Sequence, residues 1–132
     1  MSDTLTILLV DDEPLILMDL EMAAEDRGFE YVSAPSVERA LALIEGGNPA
    51  IDLAILDFTL LHGTDCLPIA RRLEQRGIPY IVHSGDLDRS EEGLGELRAV
   101  LVPKPAPSDK VIGAALVEMR SGGDHGAPLA AH

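Results

Sequence analysis

This chain has little of what would tie it to a membrane, a nucleic acid or an oxidising compartment. It has one cysteine, Cys66, so no internal disulfide can form and a reducing, cytoplasmic setting is expected. Trp is absent and aromatics make up 3% of the residues, so the core must be aliphatic. Only 10 Lys and Arg face 23 Asp and Glu, for a formal net charge of −13. Such a surface repels phosphate backbones and anionic lipid alike, which argues against nucleic-acid and membrane partners. No apolar run approaches the roughly 20 residues of a membrane span, and no secretory signal is read. What remains is 132 residues, 46% of them hydrophobic, enough for one soluble, compact domain with its own core.

The apolar residues change period along the chain. Leu5 to Val10, Phe29 to Ser33, Ile51 to Leu56, Ile78 to His83 and Ala99 to Val102 are short runs that read as strands. Helical stripes alternate with them. Pro14 suits the first turn of a helix carrying Ile16, Leu17, Leu20, Ala23 and Ala24, which Gly28 stops. Val37, Ala40, Leu41 and Ile44 form a second stripe, ended by Gly46-Gly47. Leu67, Ala70 and Leu73 form a third, with Gly77 as its C-terminal cap. Asp86 to Arg98 is a poor helix with two glycines, Gly93 and Gly95. Ser108 is expected to cap a last helix on Val111, Ile112, Ala115, Leu116 and Met119. The domain is expected to span residues 1–120, with 121–132 a flexible tail.

Five strands alternating with five helices imply an α/β fold with a parallel sheet covered on both faces. In such sheets the site lies beyond the carboxyl ends of the strands. The opening run LLVDDEP places Asp11-Asp12 there, strand three adds Asp57, strand four Ser84-Gly85 and strand five Lys104 between two prolines. At about 4 Å, each pair of carboxylates would repel by about 4 kcal/mol at an effective dielectric of 20. Asp11, Asp12 and Asp57 therefore call for a cation. Oxygen ligands suit Mg²⁺, which prefers one or two carboxylates plus phosphate oxygens. With Lys104 and the Ser84 hydroxyl beside them, these groups could stabilise a phosphoryl group moving onto an oxygen nucleophile, for which Asp57 is the best placed.

Taken one at a time, these residues have plainer explanations. An acidic pair can simply cap a helix, a strand-ending Asp or Ser is often a turn residue, and a lysine between prolines can be a solvated charge. Their joint arrival at one sheet edge makes separate explanations improbable. His62 and His83, without a fixed partner spacing, read as surface or packed histidines, Cys66 as a small buried apolar residue, and Glu91-Glu92 as a solvated face.

Over residues 5 to 120 the pattern Asp11-Asp12, Asp57, Ser84, Lys104-Pro105 resembles the receiver domain of bacterial two-component response regulators (CheY-like). The resemblance implies a flavodoxin-like, doubly wound sheet in the order 2-1-3-4-5. It implies that Asp57 takes a phosphoryl group from a sensor histidine kinase, and that Ser84 and Lys104 hold the phosphoryl oxygens. Asp12, Asp57 and the backbone carbonyl of Thr59 would bind Mg²⁺ directly, with Asp11 acting through water. A receiver of this kind is not an enzyme acting on other substrates; it signals through a downstream or phosphotransfer protein, or drains phosphoryl groups from a shared kinase. The stretch IPYIVHSGD is similar to a stand-alone alphaproteobacterial branch, paired with kinases of the HWE or HisKA2 type, that reads P-F-x-F-A-T-G-[UY] here.

Two departures stand out. The loop Phe58-Thr59-Leu60-Leu61-His62-Gly63 lacks the Pro common after the phosphoacceptor, and Leu101 replaces the aromatic three residues before the Lys. Two other functions share parts of the pattern. A haloacid-dehalogenase-like phosphohydrolase needs a second Asp where Thr59 stands, and a flavodoxin-like carrier needs a phosphate cradle where Asp11-Asp12-Glu13 would repel it.

Overall fold

A computed structural model describes residues 4–60, 63–95, 97 and 99–122. The strands are β1 (Thr6–Val10), β2 (Glu30–Ala34), β3 (Leu53–Asp57), β4 (Tyr80–Ser84) and β5 (Val100–Pro103). The helices are α1 (Pro14–Asp26), α2 (Val37–Gly46), α3 (Leu67–Gln75), α4 (Leu87–Leu94) and α5 (Ser108–Gly122). All pairings are parallel, in the order β2-β1-β3-β4-β5. The order reverses beside β1, so the carboxyl ends of β1 and β3 flank the crevice where such sheets bind ligands.

The sheet alternates its side chains between two aliphatic cores. Leu8, Val10, Ala54, Leu56 and Val82 face α2, α3 and α4. Ile7, Leu9, Leu53, Ile55 and Ile81 face α1 and α5. The central strands are buried along their whole length, as expected of a parallel sheet covered on both sides. No helix among the described residues is long and apolar enough to cross a membrane.

The expected punctuation is largely in place. Pro14 stands in the first turn of α1, and Gly28 follows its end with φ of 80°. Gly47 caps α2 in the left-handed region, where a side chain would be strained. The strands start and end within two residues of the expected runs, and two helix boundaries differ. Ser108 does not cap α5 from outside; it is the first helical residue, and the carbonyl of Pro107 accepts from the N–H groups of Lys110 and Val111. The poor helix from Asp86 shortens to α4, which Gly95 ends. His62, Arg98 and residues 123–132 of the expected tail lie outside the described residues.

Candidate functional site

Strand alternation decides which side chains meet. Asp11 continues the row of Ile7 and Leu9, Asp57 that of Leu53 and Ile55, His83 follows Ile81, and Lys104 follows Val102. These four therefore leave the sheet on the α1–α5 side, at the carboxyl ends of four neighbouring strands. Phe58 and Ser84 fall in the opposite phase, with Leu56 and Val82, toward α4. Of the five expected site side chains, Asp11, Asp57 and Lys104 leave on one side and Ser84 on the other, while Asp12, past the end of β1, follows Val10 in sequence and meets the first group through its carboxylate.

Carboxylate oxygens of Asp11, Asp12 and Asp57 all lie within 4.8 Å of one another. Asp11 and Asp57 are buried, 1% and 6% exposed, while Asp12 is half-buried. Lys104 Nζ reaches Asp57 Oδ1 at 3.1 Å and Asp11 Oδ2 at 3.5 Å. Asp11 also accepts from the Glu13 N–H at 2.9 Å. Burial, and then the Asp11 charge, push the Asp57 carboxyl from 3.8 up to about 7, against the pull of Lys104. Burial likewise raises Asp11, opposed by the Glu13 amide and Lys104. Burial would lower the Lys104 ammonium, but Asp57 and Asp11 outweigh it and raise it. One ammonium among three carboxylates leaves the cluster short of positive charge. A hard divalent cation fits this all-oxygen donor set, and Mg²⁺ keeps the open positions a phosphate would need.

Thr59 lies exposed two residues past Asp57, in a segment tied back by a bridge to Asp65 and by the Cys66 N–H donating to the Phe58 carbonyl at 2.9 Å. Cys66 is buried and pushed up to about 12, chiefly by burial, so it is an inert packing residue as expected. His83 is a packed histidine: it is 5% exposed, and neither ring nitrogen has a hydrogen-bond partner. Burial, then the Lys104 charge, lower it to about 4, so it is neutral at physiological pH. Glu91 and Glu92 are exposed on α4.

Two neighbours of the site escaped the reading of the sequence. Ser90 is fully buried on α4 with its hydroxyl 2.5 Å from that of Ser84. The Phe58 ring packs so closely under Gly93 that a Cβ there would stand 2.7 Å from Phe58 Cζ. The signal for Ser90 was its four-residue spacing from Asp86, which caps α4 by accepting from the Arg89 N–H.

A doubly wound parallel sheet that gathers three carboxylates and one lysine beyond the carboxyl ends of its strands defines a class of α/β domain whose site lies at the switch in strand order. No family model matches the chain. It is 35% identical to the phosphate regulon transcriptional regulatory protein PhoB of Pseudomonas aeruginosa, over 94% of this chain and 56% of PhoB. Among solved structures, it is similar to SdrG from Sphingomonas melonis at 36% identity and a TM-score of 0.73, covering 91% of this chain and 99% of that one. A response regulator receiver protein from Sinorhizobium medicae matches at 26% identity and a TM-score of 0.80, over 91% and 98% of the two chains. The chain belongs to the response-regulator receiver family. It spans 56% of PhoB and 6% and 20% of the two other curated relatives it matches.

Proposed function

We propose that Asp57 accepts a phosphoryl group from the phosphorylated histidine of a sensor kinase, in a reaction that depends on Mg²⁺. The observation that carries this reading is the contact of Lys104 Nζ with Asp57 at 3.1 Å and Asp11 at 3.5 Å, inside a cluster of three carboxylates. A carboxylate oxygen of Asp57 attacks phosphorus in line with the N–P bond. The new P–O bond forms as the N–P bond breaks, and its electron pair leaves on the imidazole nitrogen, which takes a proton from solvent.

Asp57 must be ionised to attack, and at about 7 without a cation it is only partly so near neutrality. Bound Mg²⁺ supplies the positive charge that keeps the carboxylate ionised and neutralises phosphoryl oxygens. Asp12, Asp57 and the Thr59 carbonyl would hold the ion directly, with Asp11 acting through water. Lys104 turns from its carboxylate partners to a phosphoryl oxygen, and Ser84 donates its hydroxyl to another.

On this reading the chain catalyses only its own phosphorylation and dephosphorylation, in the cytoplasm, and it either signals through a protein contact or drains phosphoryl groups from a shared kinase. The net charge of −13 favours a protein partner over a nucleic acid. The stretch from Ile78 to Asp86 supports the branch that works with HWE or HisKA2 kinases. Incubation with phosphoramidate and Mg²⁺ tests the proposal. One acid-labile phosphoryl group should be added, and both EDTA and Asp57→Asn should prevent it. Undiminished labelling of Asp57→Asn would overturn the assignment.

A further inference from the structure

Ser84 presents a difficulty for the reading just proposed, on which this inference rests. Its side chain points to the α4 side of the sheet, and Asp57 points to the other. Its hydroxyl is also fully engaged there. Ser84 Oγ lies 2.5 Å from Ser90 Oγ and 3.1 Å from the Asp86 carbonyl, and it accepts from the Asp86 N–H at 3.1 Å. Ser90 Oγ lies 2.8 Å from the same Asp86 carbonyl. If Ser84 donates to Ser90, Ser90 donates to Asp86; if Ser90 donates to Ser84, Ser84 donates to Asp86. Either way the one hydrogen of Ser84 is committed inside this network, and it cannot also serve a phosphoryl oxygen. Ser84 and Ser90 are 3% and 0% exposed, so water does not readily take the place of either partner.

The other end of the network is a weakly seated helix. Only Ser90 and Leu94 of α4 are buried, and Gly93 adds the close contact with Phe58, the residue after Asp57. The Ser90 hydroxyl is therefore the polar half of α4's inward anchorage. Leu101 offers neither a ring to swing nor a polar tip to exchange partners with Ser84.

We propose that Ser90 is a positioning residue that holds Ser84 on the α4 side of the sheet in the resting protein. Ser84 can then reach a phosphoryl group on Asp57 only by releasing the first turn of α4. The hydroxyl pair Ser84–Ser90 is the link that converts occupancy of the site into movement of α4.

Beryllofluoride with Mg²⁺ is the probe, and its affinity is measured by isothermal titration for the unaltered chain, Ser90→Ala, Ser84→Ala and the double variant. Ser90→Ala removes a neutral hydrogen bond from the resting state alone, so binding should tighten about two- to tenfold. In the Ser84→Ala background the same substitution should change nothing, a distinction that mere loosening of α4 would not produce. Should Ser90→Ala fail to fold, Ser90→Cys, which keeps the shape with a weaker donor, should shift affinity in the same direction. Unchanged or weaker binding by the Ser90 variant, or equal tightening in both backgrounds, overturns the inference while leaving the receiver reading intact. Failure of the unaltered chain to bind the probe would overturn the receiver reading, and the inference with it.

Discussion

Replacing Asp57 with Asn should make the cation-free protein more stable, although the residue stands at the centre of the site. Folding buries Asp57 beside Asp11, and Lys104 is the ammonium that contacts both. The cost is visible in a carboxyl pushed from 3.8 to about 7, by burial first and by Asp11 second. Because the folded value lies above the unfolded one, the folded chain binds the extra proton between them. The stability this proton provides is fully present below about pH 4, falls as pH rises, and is gone above pH 7. From 3.8 to about 7 the loss is about 4 kcal/mol, at roughly 1.4 kcal/mol per pH unit. Asn keeps the shape and an oxygen for Lys104 but gives up a charge-assisted bond, so the net gain at pH 8 should be about 2–4 kcal/mol. His83 titrates in the opposite sense. Burial, then Lys104, lower it from 6.5 to about 4, so its contribution is lost as pH falls through that window. The two slopes oppose each other in the unaltered chain, and the difference between variant and parent isolates Asp57. Urea denaturation in EDTA should show that difference growing from near zero at pH 4 to its full value at pH 8. Mg²⁺ should shrink or reverse it, because the ion stabilises the parent more than the variant. A variant no more stable than its parent at pH 8 without cation would refute the reasoning.

Other substitutions separate the remaining roles. Lys104→Ala should leave Mg²⁺ affinity unchanged or tighter in an NMR titration, whereas Asp12→Ala should weaken it strongly; equal losses would show that the roles are misassigned. Without a cation, Lys104→Ala should also cost about 3–5 kcal/mol in denaturation, since it leaves buried carboxylates unopposed. His83→Leu removes two buried ring nitrogens that lack partners. It should therefore stabilise the protein by about 1–3 kcal/mol above pH 7, and a loss would mean that the imidazole is held by something. Gly93→Ala gains about 1 kcal/mol of helix preference but drives a Cβ to 2.7 Å from Phe58 Cζ. A net loss of about 1–3 kcal/mol is expected, and a net gain on thermal denaturation would show that the ring yields freely.

The order of strands and helices was legible because each buried strand is a short apolar run ending abruptly in a polar residue, as Val10 gives way to Asp11 and Leu56 to Asp57. Glycines marked helix ends where a positive φ is needed, at Gly28, Gly47 and Gly77. The sheet-edge rule then brings Asp11, Asp12, Asp57 and Lys104 together from their places at the strand ends alone. What stayed hidden depends on the third dimension. Ser108 has the composition of a cap, yet the Pro107 carbonyl takes that place, because the chain is already turning there. Ser90 sits among polar residues on α4, where Leu94 is the other buried residue, and only its four-residue spacing from the cap Asp86 hints at the buried contact with Ser84. His83 ends an apolar run in a phase that faces α5, and its missing partners are visible only once that face is packed.

The central claim is that Asp57 is the residue phosphorylated, and reductive mapping tests it most directly. After incubation with phosphoramidate and Mg²⁺, borohydride reduces an acyl phosphate to the corresponding alcohol, which marks the aspartate that carried it as homoserine. Peptide mass spectrometry should find homoserine at position 57 and aspartate unchanged at 11 and 12. Homoserine at either of those positions, or at none of the three, would contradict the account.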